Sequence, residues 1–169
     1  AGIRRRWSEG CHRPLNIIIC ENLIHADGHL RDILLSQLPR SDQQRFLKEI
    51  GLIMASVGRM VPVMTPEQKA ENPLLVMVEP FNTLPVDRDA FIGEIPDIPN
   101  MIPTSPFDFV IEKKLFMHNL GHAVCAYLGI YSGYRYIFES MSDPWIYLCV
   151  QNAMLESALS LHAKYKNSG

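Results

Sequence analysis

The sequence predicts a mainly α-helical chain entered through a short α/β segment. Three observations carry this. Residues 14–20 (PLNIIIC) form a brief β-branched apolar run of the kind buried in parallel sheets. Residues 107–128 carry an apolar stripe at helical spacing. Pro144, placed behind Asp143, opens a second long helical pattern that reaches about Lys164.

The elements follow in order. Residues 3–9 read as the end of a helix, and the strand at 14–20 follows them. A buried parallel strand needs neighbours, and no second run like it occurs in the next 30 or so residues. Residues 27–38 place Leu30, Ile33, Leu34 and Leu38 on one helix face, with Asp27 as the cap and Pro39 as the stop. Ser41 is positioned to cap a second helix ending near Ile50. Residues 51–64 are apolar and fit either a helix or a strand. Residues 65–73 read as a polar loop, and 74–79 (LLVMVE) as a strand. From Pro80 to Pro106 the chain holds six of its twelve prolines, which predicts an ordered loop. The helix at 107–128 should break at Gly129 and Gly133.

Composition narrows the function classes. The 169 residues are 47% hydrophobic and 20% charged, as in ordinary globular proteins. Sixteen Lys and Arg against eighteen Asp and Glu give a net charge of -2, so nothing favours a nucleic-acid partner. No apolar run reaches the roughly 18 residues of a membrane span; the nearest candidate, 51–64, contains Arg59 and Pro62. Cys11, Cys20, Cys125 and Cys149 form no CxxC pair, and Cys20 and Cys125 sit in apolar contexts. Reduced cysteines and no export signal after Arg4-Arg5-Arg6 point to a cytoplasmic protein.

The polar side of the helix at 107–128 is unusual. Phe116, Met117, Leu120, Ala123, Val124, Tyr127 and Leu128 fill one sector. Lys114, His118, Asn119 and His122 fill the opposite one, spanning roughly 140°. A glycine inside a helix, Gly121, costs about 1 kcal/mol against alanine, which implies a close packing partner. Three readings are open. The face is half-exposed with incidental histidines. Or His118 and His122, at i and i+4, share a metal, although no HExxH glutamate or third ligand is in view. Or the face is an organic active site, in which a desolvated lysine is a general base and an asparagine amide holds a developing oxyanion.

Lys114, then Asn119 and His122, followed by Ala126-Tyr127-Leu128-Gly129, resembles the K-x4-N-x2-H signature and A-Y-L-G end of the polyol-specific long-chain dehydrogenases. Residues 14–22 (PLNIIICEN) are similar to the last strand of that family's nucleotide domain and the C-[DE]-N after it. Residues 78–81 (VEPF) and 91–96 (FIGEIP) resemble two further family segments in the right order. The resemblance implies a helical substrate domain of the 6-phosphogluconate-dehydrogenase-like type over residues 46–169. Before it, over 1–45, it implies the last strand and helix of a Rossmann domain. Family members hold the cofactor pyrophosphate on a glycine-rich turn, and this sequence has no G-x-G-x-x-G. A fragment or truncated form, inactive by itself, is therefore expected.

The implied activity is NAD-dependent oxidation of a sugar alcohol or its phosphate, of the type that interconverts mannitol 1-phosphate and fructose 6-phosphate. In it Lys114 takes the alcohol proton, Asn22 and Asn119 polarise the oxygen, His122 orients a neighbouring hydroxyl, and no metal is needed. Two departures stand out. Gly58 replaces the family aspartate before Arg59, and 82–85 (NTLP) replace a tryptophan-bearing stretch. Arg59 and Arg135 are the phosphate-binding candidates. Apolar surface around residues 17–19 makes a homodimer an expectation. The competing class is a non-catalytic binding or assembly module derived from the same family. Outside the resemblance, Asn22 reads as a turn residue and Glu79 as a solvated carboxylate. His12, His25, His29 and His162 carry no signal, and Met54, Met60, Met64 and Met77 read as core filler.

Overall fold

A computed structural model of the chain describes residues 1–166. The chain folds as two units, Ala1–Ser105 and Pro106–Gly169. The boundary expected between residues 45 and 46 falls inside a helix of the first unit.

In the first unit, α1 (Gly2–Ser8) leads into β1 (Leu15–Ile19). Helices α2 (Ala26–Ser36) and α3 (Arg40–Glu49) cross over to β2 (Ile50–Met54), which pairs in parallel with β1 from Leu15 opposite Ile50 to Ile19 opposite Met54. The partner that the strand at 14–20 required is therefore the start of the ambiguous segment 51–64. Its period is hidden because both faces of β2 are covered. Ile50 and Leu52 pack with Phe46 against Trp7, Ile17, Ile19 and Leu34. Ile53 and Ala55 pack with Val86 against Ile18 and Phe91. Trp7 Nε1 donates to Glu49 Oε2 at 2.9 Å, and the Arg45 guanidinium donates to Glu49 Oε1 at 2.9 Å while lying 4.8 Å from the Trp7 ring centre. The Arg45 hydrogen bond holds the Glu49 carboxyl below its ordinary value.

Several local expectations change. Helix α2 begins behind His25, which adopts a left-handed conformation (φ 55°); Asp27 lies inside the first turn and pairs with Arg31 at 3.6 Å. Helix α3 starts at Arg40, behind Pro39 rather than Ser41. Within the expected loop 65–73, α4 (Pro66–Glu71) forms because Thr65 and Gln68 make a reciprocal capping box. Residues 74–79 form no strand. The Asn72 side chain and backbone turn the chain at Leu74 and Leu75, and Leu74, Val76, Met77 and Val78 are exposed. An apolar run becomes a strand only where an edge is there to pair with it, and among the described residues it meets none. In the proline-rich segment, β3 (Leu84–Asp87) and β4 (Met101–Thr104) pair in parallel, and Val86 bridges to Ala55.

In the second unit, α5 (Phe107–Lys113), a π-helical stretch (Lys114–Asn119) and α6 (Leu120–Tyr131) follow one another with no break in helical backbone. Gly129 stays helical because α6 approaches Ser140 there, leaving no room for a Cβ. The helix stops one turn later at Gly133 (φ 85°), and Tyr134 N–H returns to the Gly129 carbonyl at 2.8 Å. After α7 (Ile137–Met141), Asp143 accepts from the N–H groups of Trp145 (2.9 Å) and Ile146 (3.3 Å), opening α8 (Pro144–Tyr165) as the sequence predicted. Cys125, Ile146 and Val150 form the core between α6 and α8, with Leu128, Tyr134 and Met154 around them.

Candidate active site

Lys114 and Asn119 open and close the π-helical stretch. The widened i→i+5 ladder of a π-helix stacks residues five apart, which the α-helix does not. These two polar residues are five apart, so the i→i+5 register brings them closer around the helix than the roughly 140° of α-helical spacing. Both are half-buried, and His122, three residues on, is exposed. Segments of this type are rare and concentrate at functional sites. Nothing in the periodicity of the sequence announces one.

His122 Nδ1 lies 3.0 Å from the carbonyl oxygen of His118. A carbonyl only accepts, so Nδ1 carries the proton and Nε2 is left as an acceptor in the neutral ring. The His118 ring meets His122 edge-on at 4.6 Å. One histidine is therefore oriented by the other, and Nε2 of His122 is suited to receive a hydroxyl proton from a ligand. No group of three or more His, Cys, Asp or Glu side chains fit to hold a metal ion occurs among the described residues.

The close packing expected at Gly121 is real. A Cβ there would come within 2.8 Å of Met154 Sδ on α8. On the preceding turns, Lys164 Nζ donates to Glu112 Oε1 at 2.5 Å. That bond holds the Glu112 carboxyl below its ordinary value and the Lys164 ammonium above. A cavity of about 320 Å³ opens beside Phe109, Met117, Leu161 and Tyr165, and neither Lys114, Asn119 nor His122 lines it.

Asn22 belongs to the first unit. It is exposed in the turn after β1, and its N–H donates to Glu21 Oε1 at 3.0 Å. The two segments that depart from the family pattern meet around a cavity of about 210 Å³ lined by Gly58, Arg59, Phe81 and Asn82. A Cβ at Gly58 would stand 3.3 Å from the Phe81 ring, so an aspartate here would need that ring to give by a few tenths of an ångström. Arg59 Nε donates to the Phe81 carbonyl, and Glu79 Oε1 accepts from Met60 N–H at 2.7 Å. Arg135, in the second unit, lies over Tyr136 with 5.4 Å to the ring centre.

The first unit carries a parallel βααβ segment, and the second is helical and bears Lys114, Asn119 and His122. The profile of the mannitol dehydrogenase Rossmann domain matches residues 1–100, and that of the mannitol dehydrogenase C-terminal domain matches residues 107–168. The chain belongs to the mannitol dehydrogenase family. Among solved structures it is similar to Pseudomonas fluorescens mannitol 2-dehydrogenase, in a ternary complex with NAD and D-mannitol. The identity is 23% and the TM-score 0.69, over 90% of this chain and 33% of that one. It is also similar to a substrate-free D-sorbitol dehydrogenase, with 21% identity and a TM-score of 0.73, over 89% of this chain and 33% of that one. The chain thus spans about a third of the length of these two proteins. No helix among the described residues is long and apolar enough to cross a membrane.

Proposed function

We propose that this chain carries the proton-transfer half of an NAD-dependent polyol or polyol-phosphate dehydrogenase. The π-helical stretch supports this reading most directly, because its register narrows the angle between a lysine and an asparagine, with an oriented histidine one turn beyond. Lys114 removes the proton of the alcohol being oxidised. Asn119 donates its amide N–H to the oxygen as it becomes a carbonyl, and Asn22 is assigned the same task by resemblance. His122 Nε2 accepts a neighbouring hydroxyl of the polyol and fixes which carbon reacts. Preorganised donors at such an oxygen are worth about 3–4 kcal/mol each, so no metal is required by this chemistry.

NAD supplies the hydride acceptor in the proposed reaction. The βααβ segment has the parallel strands of a dinucleotide-binding fold, but the sequence has no G-x-G-x-x-G turn to approach a pyrophosphate. The residues present do not fit that group, and these 169 residues alone are expected to reduce no NAD.

The test is steady-state oxidation of mannitol, sorbitol and mannitol 1-phosphate with NAD by the longest natural form of the protein and by its Lys114→Ala variant. Loss of turnover, recovered in part by added primary amines, supports the general-base role. Unchanged turnover removes Lys114 from the reaction. No turnover of any polyol by that wild-type form favours a non-catalytic module.

A further inference from the structure

In an α-helix each interior N–H reaches back four residues and every interior carbonyl is taken. Where a ladder of five returns to a ladder of four, one carbonyl is passed over. Here that carbonyl belongs to Phe116. The N–H groups that close the π-helical stretch, from Leu120 on, donate to the carbonyls of Leu115 and Met117. The Phe116 carbonyl accepts instead from Ser157 Oγ on α8.

The bond is not one that a serine makes by default. A serine inside a helix ordinarily turns its hydroxyl to its own backbone one turn back. Ser160 does so, donating to the Glu156 carbonyl at 3.0 Å, and so does Ser142, to Phe138 at 2.9 Å. Ser157 reaches 41 residues back in the chain to Phe116. The short side chain spans the gap because α8 is drawn close nearby, where Met154 lies over Gly121.

We infer that Ser157 is a positioning residue: its hydroxyl takes the carbonyl freed by the π-helical register and thereby keeps Lys114 and Asn119 closer around the helix than α-helical spacing sets them. The catalytic consequence rests on the roles proposed for Lys114 and Asn119; the structural one does not. Without the hydroxyl, the Phe116 carbonyl is best satisfied by the Leu120 N–H, which is a return to α-helical spacing. That return moves Lys114 and Asn119 to about 140° apart.

The test uses the longest natural form of the protein with Ser157→Ala and Ser157→Thr, and with Lys114→Ala as the control. Amide hydrogen exchange is followed over residues 114–121 and over 146–150, and kcat, KM and the pH–rate profile are measured with polyol and NAD. In Ser157→Ala, exchange over 114–121 is expected to rise about tenfold with 146–150 unchanged. The kcat falls about tenfold or more, and the limb of the pH profile set by the base moves, while KM for the polyol changes less than about threefold. Ser157→Thr, which keeps a hydroxyl, restores both. Exchange over 114–121 within about twofold of wild type overturns the inference, as does a rise spread equally over both segments. Faster exchange with unaltered kcat and pH profile overturns the positioning role. Failure of Ser157→Thr to restore either readout also overturns it. If Lys114→Ala turns over like wild type, the proposed function falls, and the exchange data still decide the part played by Ser157.

Discussion

Asn16 on β1 stands directly across from Gly51 on β2, and its side chain fills the space that a Cβ at position 51 would need. From there its amide donates to the Ile92 carbonyl at 3.1 Å and accepts from the Ile92 N–H at 3.0 Å. One side chain thus gives the backbone at Ile92 the pair of bonds that a neighbouring strand would supply.

The two positions should therefore be coupled. Gly51→Ala forces Asn16 aside and brings the new Cβ within 3.0 Å of the Ala90 carbonyl, at a cost of about 1–3 kcal/mol. Asn16→Ala leaves both polar groups of Ile92 without their partner, again costing about 1–3 kcal/mol. The double variant should lose clearly less than the sum, because each change removes the cause of the other's damage. Urea titration of the four proteins measures this, and additive losses would contradict the pairing.

Kinetics should separate the two polar residues beyond Lys114. Asn119→Ala is expected to lower kcat about 100-fold or more, since in the role proposed for it the amide acts on charge that develops only in the transition state. His122→Ala should act mainly on KM, because in the role proposed for it Nε2 of His122 holds a hydroxyl before and during the reaction. The reverse pattern, with KM moved by Asn119 and kcat by His122, would exchange their roles.

Asp143 holds the start of α8 with one oxygen and accepts from the Tyr134 hydroxyl with the other, at 3.2 Å. That bond keeps the tyrosine ionising above its ordinary value. Asp143→Ala should destabilise the second unit by about 1–2 kcal/mol. Asp143→Asn, which keeps a capping oxygen, should recover most of that in a thermal melt and bring Tyr134 ionisation back toward its ordinary value in ultraviolet titration.

The Glu112–Lys164 pair sets an acid-side dependence. Glu112 ionises more readily folded than unfolded, its carboxyl being held below its ordinary value of 4.5 by the Lys164 hydrogen bond. Its contribution is complete above that ordinary value and is lost as pH falls through the lowered one. Wild type should melt above Glu112→Gln at pH 7, and the gap should close under acid conditions. A gap that stays constant down to pH 2 would mean that the pair is screened out by solvent.

The helical half was largely legible in the sequence, because α8 announces itself through Asp143 and Pro144 and α5 and α6 through their apolar stripe. Strand β2 was not, because burial on both faces erases the alternation that marks a strand. Residues 74–79 misled for the opposite reason: the letters favour a strand, and strand formation depends on a pairing edge that local sequence does not encode. Of the candidate site, the family motif brought forward Lys114, Asn119 and His122, but not the π-helical stretch that carries the first two. A wheel drawn at 100° per residue runs straight through residues 114–119 and turns everything beyond by one residue too many. Ser157 left no trace at all, since one serine on a long helix has no local pattern to break. Asn16 did leave one, as the single amide in an otherwise apolar strand.

Helix α8 contacts its neighbour on both sides of the irregular stretch, through Lys164 on Glu112 ahead of it and Met154 over Gly121 beyond it. At 1.5 Å per residue α8 acts as a ruler of fixed length, and these two latches set how much chain must fit between them. For residues 114–119 to return to α-helical spacing, as expected once the Ser157 hydroxyl is removed, one of these two contacts has to shift with them. Deleting one residue between Glu112 and Gly121 should therefore give a regular helix that still meets both contacts, because the irregular stretch is where a surplus residue is fitted into a distance marked out on another part of the fold.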